Sequence, residues 1–181
     1  MPAFPQLLVA LAQAWTDKRD EIERSAEEIT THLSRIAPAG SGGEGVLTAD
    51  LFDQGLNGLL RTYDSKLGGF GRAPKFPPSM TLEFLLRMVV QRDDAMALRM
   101  TEHTLEMMAR GGIYDQLGGG FARYSTDDRW LAPHFEKMLY DNALLARVYL
   151  HAWQLTGKPL YRRIVEETLD FVVREMRHAE G

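Results

Sequence analysis

Two glycine-aromatic stretches, one helical hairpin apart, constrain this chain more than any other feature. "LGGFGRAPKFP" begins at Leu67 and "LGGGFARYSTDDRWLAP" at Leu117, which sets Gly69-Phe70 against Gly120-Phe121 at an offset of 51 residues. Between them lie two helical patterns. One runs from a capping Ser79 to about Gln91 with Phe84, Leu85, Met88 and Val89 on its apolar side; the other runs from about Asp94 to Arg110, where Gly111 offers a left-handed stop. A hairpin repeated with its loop near this length describes an α/α solenoid or its closed form, a toroid of inner and outer helices whose long loops gather at one end.

The rest of the chain reads the same way. Phe4, Leu7, Leu8, Leu11 and Trp15, then Ile22, Ala26, Ile29, Leu33 and Ile36, recur at helical spacing, as one long helix or two in line. "PAGSGGEG" interrupts the pattern with a proline and four glycines, so the organisation expected is a helical segment over 1–37, a linker over 38–47 and a second region over 48–181. Thr48 is placed to cap a helix reaching Tyr63. A further helix is expected from Pro133 to Thr156, closed by Gly157 and Pro159, and a last one carries Tyr161, Ile164, Val165, Thr168, Leu169, Val172 and Met176. No segment alternates as a strand. The fold class is therefore all-α, with helical hairpins forming part of an α/α toroid. About three hairpins cannot close a ring, and an open edge exposes apolar helix faces, which points to a piece of a longer toroid, a homo-oligomer, or a partner on that edge.

Composition removes several functions. A net charge of −4, with both signs mixed along "DKRDEIER", gives no broad attraction to nucleic acid. No apolar run approaches the roughly 18–20 residues of a membrane span, and the first residues lack a basic leader, so a cytoplasmic location is expected. Without cysteine the chain has no disulfide or thiol chemistry of its own. The single G-x-G-x-x-G, at Gly40, Gly42 and Gly45, follows no strand, and the five histidines form no H-x-x-x-H pair, so neither a nucleotide cofactor nor a metal is expected.

Residues 111–132 form a connection longer than the roughly 12–15 at which structureless loops become uncommon. It holds Tyr114, Phe121, Tyr124 and Trp130 among Asp115, Arg123, Asp127, Asp128 and Arg129, too aromatic for disorder. Its glycines permit either tight turns or close approach of main chain to a ligand, and the sequence leaves both open. "PHFEKMLYDNA", residues 133–143, follows at once. Read as a helix at about 100° per residue, it places Glu136, Tyr140 and Arg147 on one flank and His134, Lys137 and Asp141 on the other. A solvated helix start explains Glu136, and an i, i+4 pair between Lys137 and Asp141 explains both of those residues. A cavity-facing inner helix would instead let a carboxylate or imidazole act as general acid or base.

Aromatic platforms beside carboxylates and arginines suit a carbohydrate. Hydrolysis would need two carboxyl groups about 5–9.5 Å apart, with Asp115, Asp127 and Glu136 as candidates; epimerisation beside a carbonyl would need a base such as His134. The catalytic candidates are thus His134, Glu136 and Asp115. The substrate-binding candidates are Arg72, Lys75, Tyr114, Arg123, Tyr124, Trp130, Lys137 and Tyr140. A non-catalytic domain whose loop aromatics dock a protein is the alternative.

These stretches, "GGFGRAPKFP" and "GGIYDQLGGGFARYSTDDRWLAPHFEKMLYDNALL" with the helices after them, resemble the thioredoxin-domain-containing family that includes spermatogenesis-associated protein 20 and its bacterial relatives. The resemblance runs from Gly68 to Arg177, and residues 4–29 resemble the helical segment that follows the family's thioredoxin-like domain. It implies a toroid similar to six-hairpin glycosidases and N-acylglucosamine 2-epimerases, with the thioredoxin-like domain missing here and standing as an expected partner. It places Tyr114, Asp115, Arg123, Tyr124, Trp130, His134, Glu136, Lys137, Tyr140 and Asp141 in the family signature and brings no catalytic role with them.

Overall fold

The computed structural model describes residues 3–36, 48–178 and 180, and the linker expected at 38–47 lies outside them. The chain divides into two compact units, Met1–Thr48 and Ala49–Gly181. The first holds α1 (Phe4–Asp17) and α2 (Arg19–Ile36), two helices separated at Lys18. Ala3 N–H donates to Gln6 Oε1 at 3.0 Å and satisfies an orphan donor at the start of α1. Phe4, Leu7, Leu8, Leu11 and Trp15 stay exposed, and the Arg19 guanidinium lies 4.7 Å from the centre of the Trp15 ring.

The second unit contains α3 (Asp50–Thr62), α4 (Ser79–Arg92), α5 (Ala95–Arg110), α6 (Leu139–Thr156) and α7 (Pro159–Phe171), with a π-helical turn over Val172–Met176. No helix among the described residues is long and apolar enough to cross a membrane. α4 packs on both α5 and α6, and α6 packs on α4 and α7, so the hairpins α4/α5 and α6/α7 stack through α4 and α6. Leu82, Leu105, Met108, Phe121, Trp130, Leu145, Tyr149, Tyr161 and Ile164 fill the main core. Each such side chain contributes on the order of 1.5–3 kcal/mol by leaving water. Tyr149 keeps its hydroxyl satisfied inside that core by donating to Leu105 O at 2.7 Å. A second cluster, Leu85, Met88, Val89, Ala97 and Met100, receives Leu56, Leu59 and Tyr63 from α3 and its end.

Several helix ends differ from the sequence reading. Thr48 does not cap α3, whose N-cap position is Ala49, and Ser79 is the first residue of α4 rather than its cap. Asp94 does cap α5, accepting from the N–H groups of Met96 and Ala97 at 2.9 Å. Gly111 has φ −80°, so it is not a left-handed stop; the left-handed residue at the α4/α5 junction is Asp93, at φ 53°. Gly157 closes α6 as expected, in the left-handed region at φ 70°, and Pro159 opens α7.

The largest correction concerns residues 133–138. They are not helical. Pro133–His134 is a short strand, β2, pairing antiparallel with β1 (Tyr124–Ser125) so that Tyr124 faces His134, and α6 starts only at Leu139. The helical flanks assigned to His134, Glu136 and Lys137 therefore do not exist. A six-residue stretch carries too little periodicity to reveal that its backbone pairs with a strand nine residues upstream.

Candidate functional site

The two repeated loops are the same device built twice. Tyr63-Asp64 stands 51 residues before Tyr114-Asp115, completing the Gly-Phe match. Tyr63 bridges Phe70, and Tyr114 bridges Phe121. In the first loop Asp64 Oδ1 accepts from the N–H groups of Lys66 and Leu67, while Lys75 Nζ reaches Asp64 Oδ2 at 2.7 Å and Gly68 O at 3.0 Å. In the second, Asp115 Oδ1 accepts from Leu117 and Gly118, and Lys137 Nζ reaches Asp115 Oδ2 and Gly119 O, both at 2.8 Å. Each lysine also covers an aromatic ring, Trp130 at 5.6 Å for Lys75 and Phe171 at 4.1 Å for Lys137.

The loops meet on one rim. Lys75 and Ser125 exchange backbone hydrogen bonds of 2.9 and 2.8 Å, and the Trp130 indole N–H donates to Leu67 O at 2.9 Å. Both loops precede α4 and α6, so these two helices start at the same end. The loop glycines serve the packing. A Cβ on Gly69 would stand 2.5 Å from the Trp130 ring, and one on Gly119, at φ +75°, would stand 2.3 Å from Glu167 O. Main chain here approaches its own protein.

This accounts for several predicted site residues and removes them from a ligand's reach. Lys75, Tyr114 and Trp130 are buried at 2%, 1% and 0% exposure. Tyr114 donates its hydroxyl to Glu167, and burial followed by that carboxylate pushes its pKa upward. Asp115, the intended second carboxylate, is held at a pKa of about 2 by the Gly118 N–H and by Lys137, and Lys137 is occupied in turn. Such a carboxyl is a poor proton donor near neutrality. Asp127 is likewise spent on the N–H groups of Arg129, Leu131 and Ala132. The expected Lys137–Asp141 pair gives way to Lys137–Asp115.

Of the remaining candidates, Tyr124 stacks with His134, and Arg123 lies with Glu136 and near Tyr140. Phe76, Tyr124 and His134 form a row with consecutive ring centres 4.8 Å apart, the second pair nearly parallel at 15°. Phe76 and His134 are exposed and Tyr124 is partly so. Beside the row, Arg123 Nη1 donates to Glu136 Oε2 at 3.0 Å across an exposed pair, and Arg123 N–H donates to Glu136 O at 2.8 Å. Tyr140 is exposed, and Arg72 is exposed on the first loop. Asp141, in the first turn of α6, completes the group. Its Oδ2 is enclosed with no hydrogen-bond partner among the described residues; burial raises its pKa, Arg123 opposes the rise and Glu136 adds to it. His134 and Glu136 thus have separate partners, Tyr124 and Arg123.

Sequence reasoning missed Asp64 and Phe76 as parts of this end of the molecule, and it set Asp141 against Lys137 rather than near Arg123 and Glu136. Asp64 was legible through the Tyr-Asp repeat. The enclosure of Asp141 Oδ2, with no hydrogen-bond partner among the described residues, is encoded by no spacing.

No family model matches the chain. Human spermatogenesis-associated protein 20 is 37% identical over 184 residues, which covers 98% of this chain. The chain is homologous to one segment of spermatogenesis-associated protein 20. The rat protein is 36% identical with the same coverage, and an uncharacterized protein of Caenorhabditis elegans is 34% identical over 87% of this chain. The chain spans 23% of the length of human spermatogenesis-associated protein 20. Among solved structures, a sugar epimerase from a ruminal bacterium superposes with a TM-score of 0.64 at 14% identity, over 73% of this chain and 38% of that one. Cellobiose 2-epimerase from Spirochaeta thermophila gives 0.63 at 23% identity, over 72% and 36%. Over about 73% of its length the chain therefore resembles part of the α/α toroid of these epimerases.

Proposed function

We propose that the rim row Phe76–Tyr124–His134, with Arg123, Glu136 and Asp141 beside it, binds a carbohydrate as one part of the wall of an α/α toroid. The observation that carries this reading is the exposed aromatic row next to an exposed arginine–carboxylate pair. Sugar C–H faces stack on such rings, and hydroxyls pair with such charges. The reaction class it favours is proton transfer beside a carbonyl, as in epimerisation: His134 accepts a proton, and Asp141, whose carboxyl holds its proton to higher pH than usual, returns one. The solved toroids named for sugar and cellobiose epimerases support that choice over hydrolysis.

A second reading has its own observation. Leu117, Phe135 and Leu131 are 100%, 87% and 65% exposed, and Leu117 and Phe135 flank a hollow of about 360 Å³ on the second loop. Such a surface suits a non-catalytic domain docking a protein, for example a thioredoxin-like domain. Titration of the labelled chain with cellobiose, followed by NMR, separates the two. Shifts at Tyr124, His134 and Glu136 that vanish in Tyr124→Ala are the expected result. Absence of any shift on the rim, for cellobiose and for glucose, refutes the carbohydrate reading.

A further inference from the structure

Away from the rim, α4 and α6 enclose a groove of about 420 Å³. It is lined by Glu83, Arg87 and Val90 from α4 and by His151, Gln154 and Leu155 from α6. His151 lies about 18 Å along α6 from its first residue at helical rise, so the groove is a separate place from the Arg123–Asp141 cluster. Its volume falls within the range of small-molecule sites.

The groove contains a carboxylate–imidazole dyad. Glu83 is 6% exposed, a degree of burial rarely tolerated by an unpartnered carboxylate. Its Oε2 lies 2.9 Å from His151 Nδ1, and Arg87 Nη2 reaches its Oε1 at 3.3 Å. An ionised carboxylate only accepts, so His151 must carry hydrogen on Nδ1. Its Nε2 has no hydrogen-bond partner among the described residues, and the ring, 39% exposed, lines the groove. A buried carboxylate that fixes the tautomer and leaves the far nitrogen bare is the arrangement by which proteins prepare an imidazole to accept a proton.

We infer that Glu83 and His151 form a binding dyad for a small, neutral, hydroxyl-bearing ligand in the α4/α6 groove. Glu83 holds the ring hydrogen on His151 Nδ1, and His151 Nε2 accepts a hydrogen bond from a ligand hydroxyl. Arg87 and Gln154 supply further polar contacts, while Val90, 72% exposed, and Leu155 offer the ligand an apolar side. This site does not depend on carbohydrate binding at the rim.

The competing role, a clamp between α4 and α6, makes different predictions. Long-range proton–nitrogen NMR spectra of the ¹⁵N-labelled full chain report both ring nitrogens of His151. The dyad requires an Nδ1–H tautomer, with the Nε2 resonance moving on addition of glucose or glycerol. Glu83→Gln, which keeps the shape and can still hydrogen-bond, should shift the tautomer balance toward Nε2–H and abolish the response. Glu83→Asp should retain part of it. A wild-type Nε2 resonance indifferent to both compounds, or a Glu83→Gln variant that responds like wild type, overturns the inference. His134 resonances in the same spectra report the rim, so failure at one site is read independently of the other.

Discussion

Replacing Lys75 by methionine keeps the buried stem and removes only the ammonium, which isolates the lock of the first loop. The lysine side chain is 1% exposed and its partner Asp64 23% exposed. Loss of a charge-assisted hydrogen bond costs about 1.5–3 kcal/mol, and the orphaned Gly68 carbonyl adds about 1 kcal/mol. Partial rehydration of Asp64 gives some of this back, leaving about 3 kcal/mol. For a unit of this size that lowers the melting temperature by roughly 10 °C. The second lock supplies the control, because Lys137→Met removes the same bonds where lysine and aspartate are 19% and 39% exposed. Solvent screening reduces that loss to about half. Urea and thermal unfolding of both variants, with an Asp64→Asn/Lys75→Met double-mutant cycle, measure the difference and the coupling. The Lys75 pair also has a sign in pH. The Lys75 bond and the Leu67 and Lys66 N–H groups outweigh burial and hold Asp64 below its ordinary pKa, so its contribution is present above about pH 4 and lost as pH falls through the folded value. The gap between wild type and Lys75→Met should therefore narrow in acid. If Lys137→Met costs as much as Lys75→Met, or the coupling falls under about 0.5 kcal/mol, burial does not set the strength of these locks.

Asp141→Asn should stabilise the protein at about pH 7, because the raised pKa marks a carboxylate whose charge is unfavourable in the fold; the gain shrinks as pH falls through that pKa and the native carboxyl takes its proton, which melts at several pH values will show. Gly157→Ala meets open space and should cost only the left-handed strain of about 1 kcal/mol, whereas Gly119→Ala adds a collision with Glu167 O and should cost about 3 kcal/mol or more by chemical denaturation.

How far the site was legible follows from where each residue's partner lies. The pairing of Asp64 with Lys75 spans eleven residues inside one loop; its counterpart repeats the aspartate 51 residues on but takes its lysine from 22 residues downstream, so the recurrence of the aspartates is legible in the chain and the second lysine partner is not. Glu83 and His151 are 68 residues apart on different helices, and neither neighbourhood hints at the other. For the glycines of 111–132 the sequence left tight turns and approach to a ligand both open; at Gly119 the group that approaches is Glu167 O, and at Gly69 on the first loop it is the Trp130 ring, which only packing could decide.

The amino-acid order by itself determined the helices, their hairpin pairing and the recurrence of the glycine loops, because periodicity and turn chemistry act within a few residues. Tertiary structure decided the rest: that residues 133–138 stay out of the helix with Pro133–His134 paired as a strand, that Lys75, Tyr114, Trp130 and Asp115 are consumed by the framework, and that Asp141 Oδ2 has no hydrogen-bond partner among the described residues. The physical reason is that a charged or aromatic side chain acquires its role from desolvation and from groups brought near by folding, and neither is a property of local sequence.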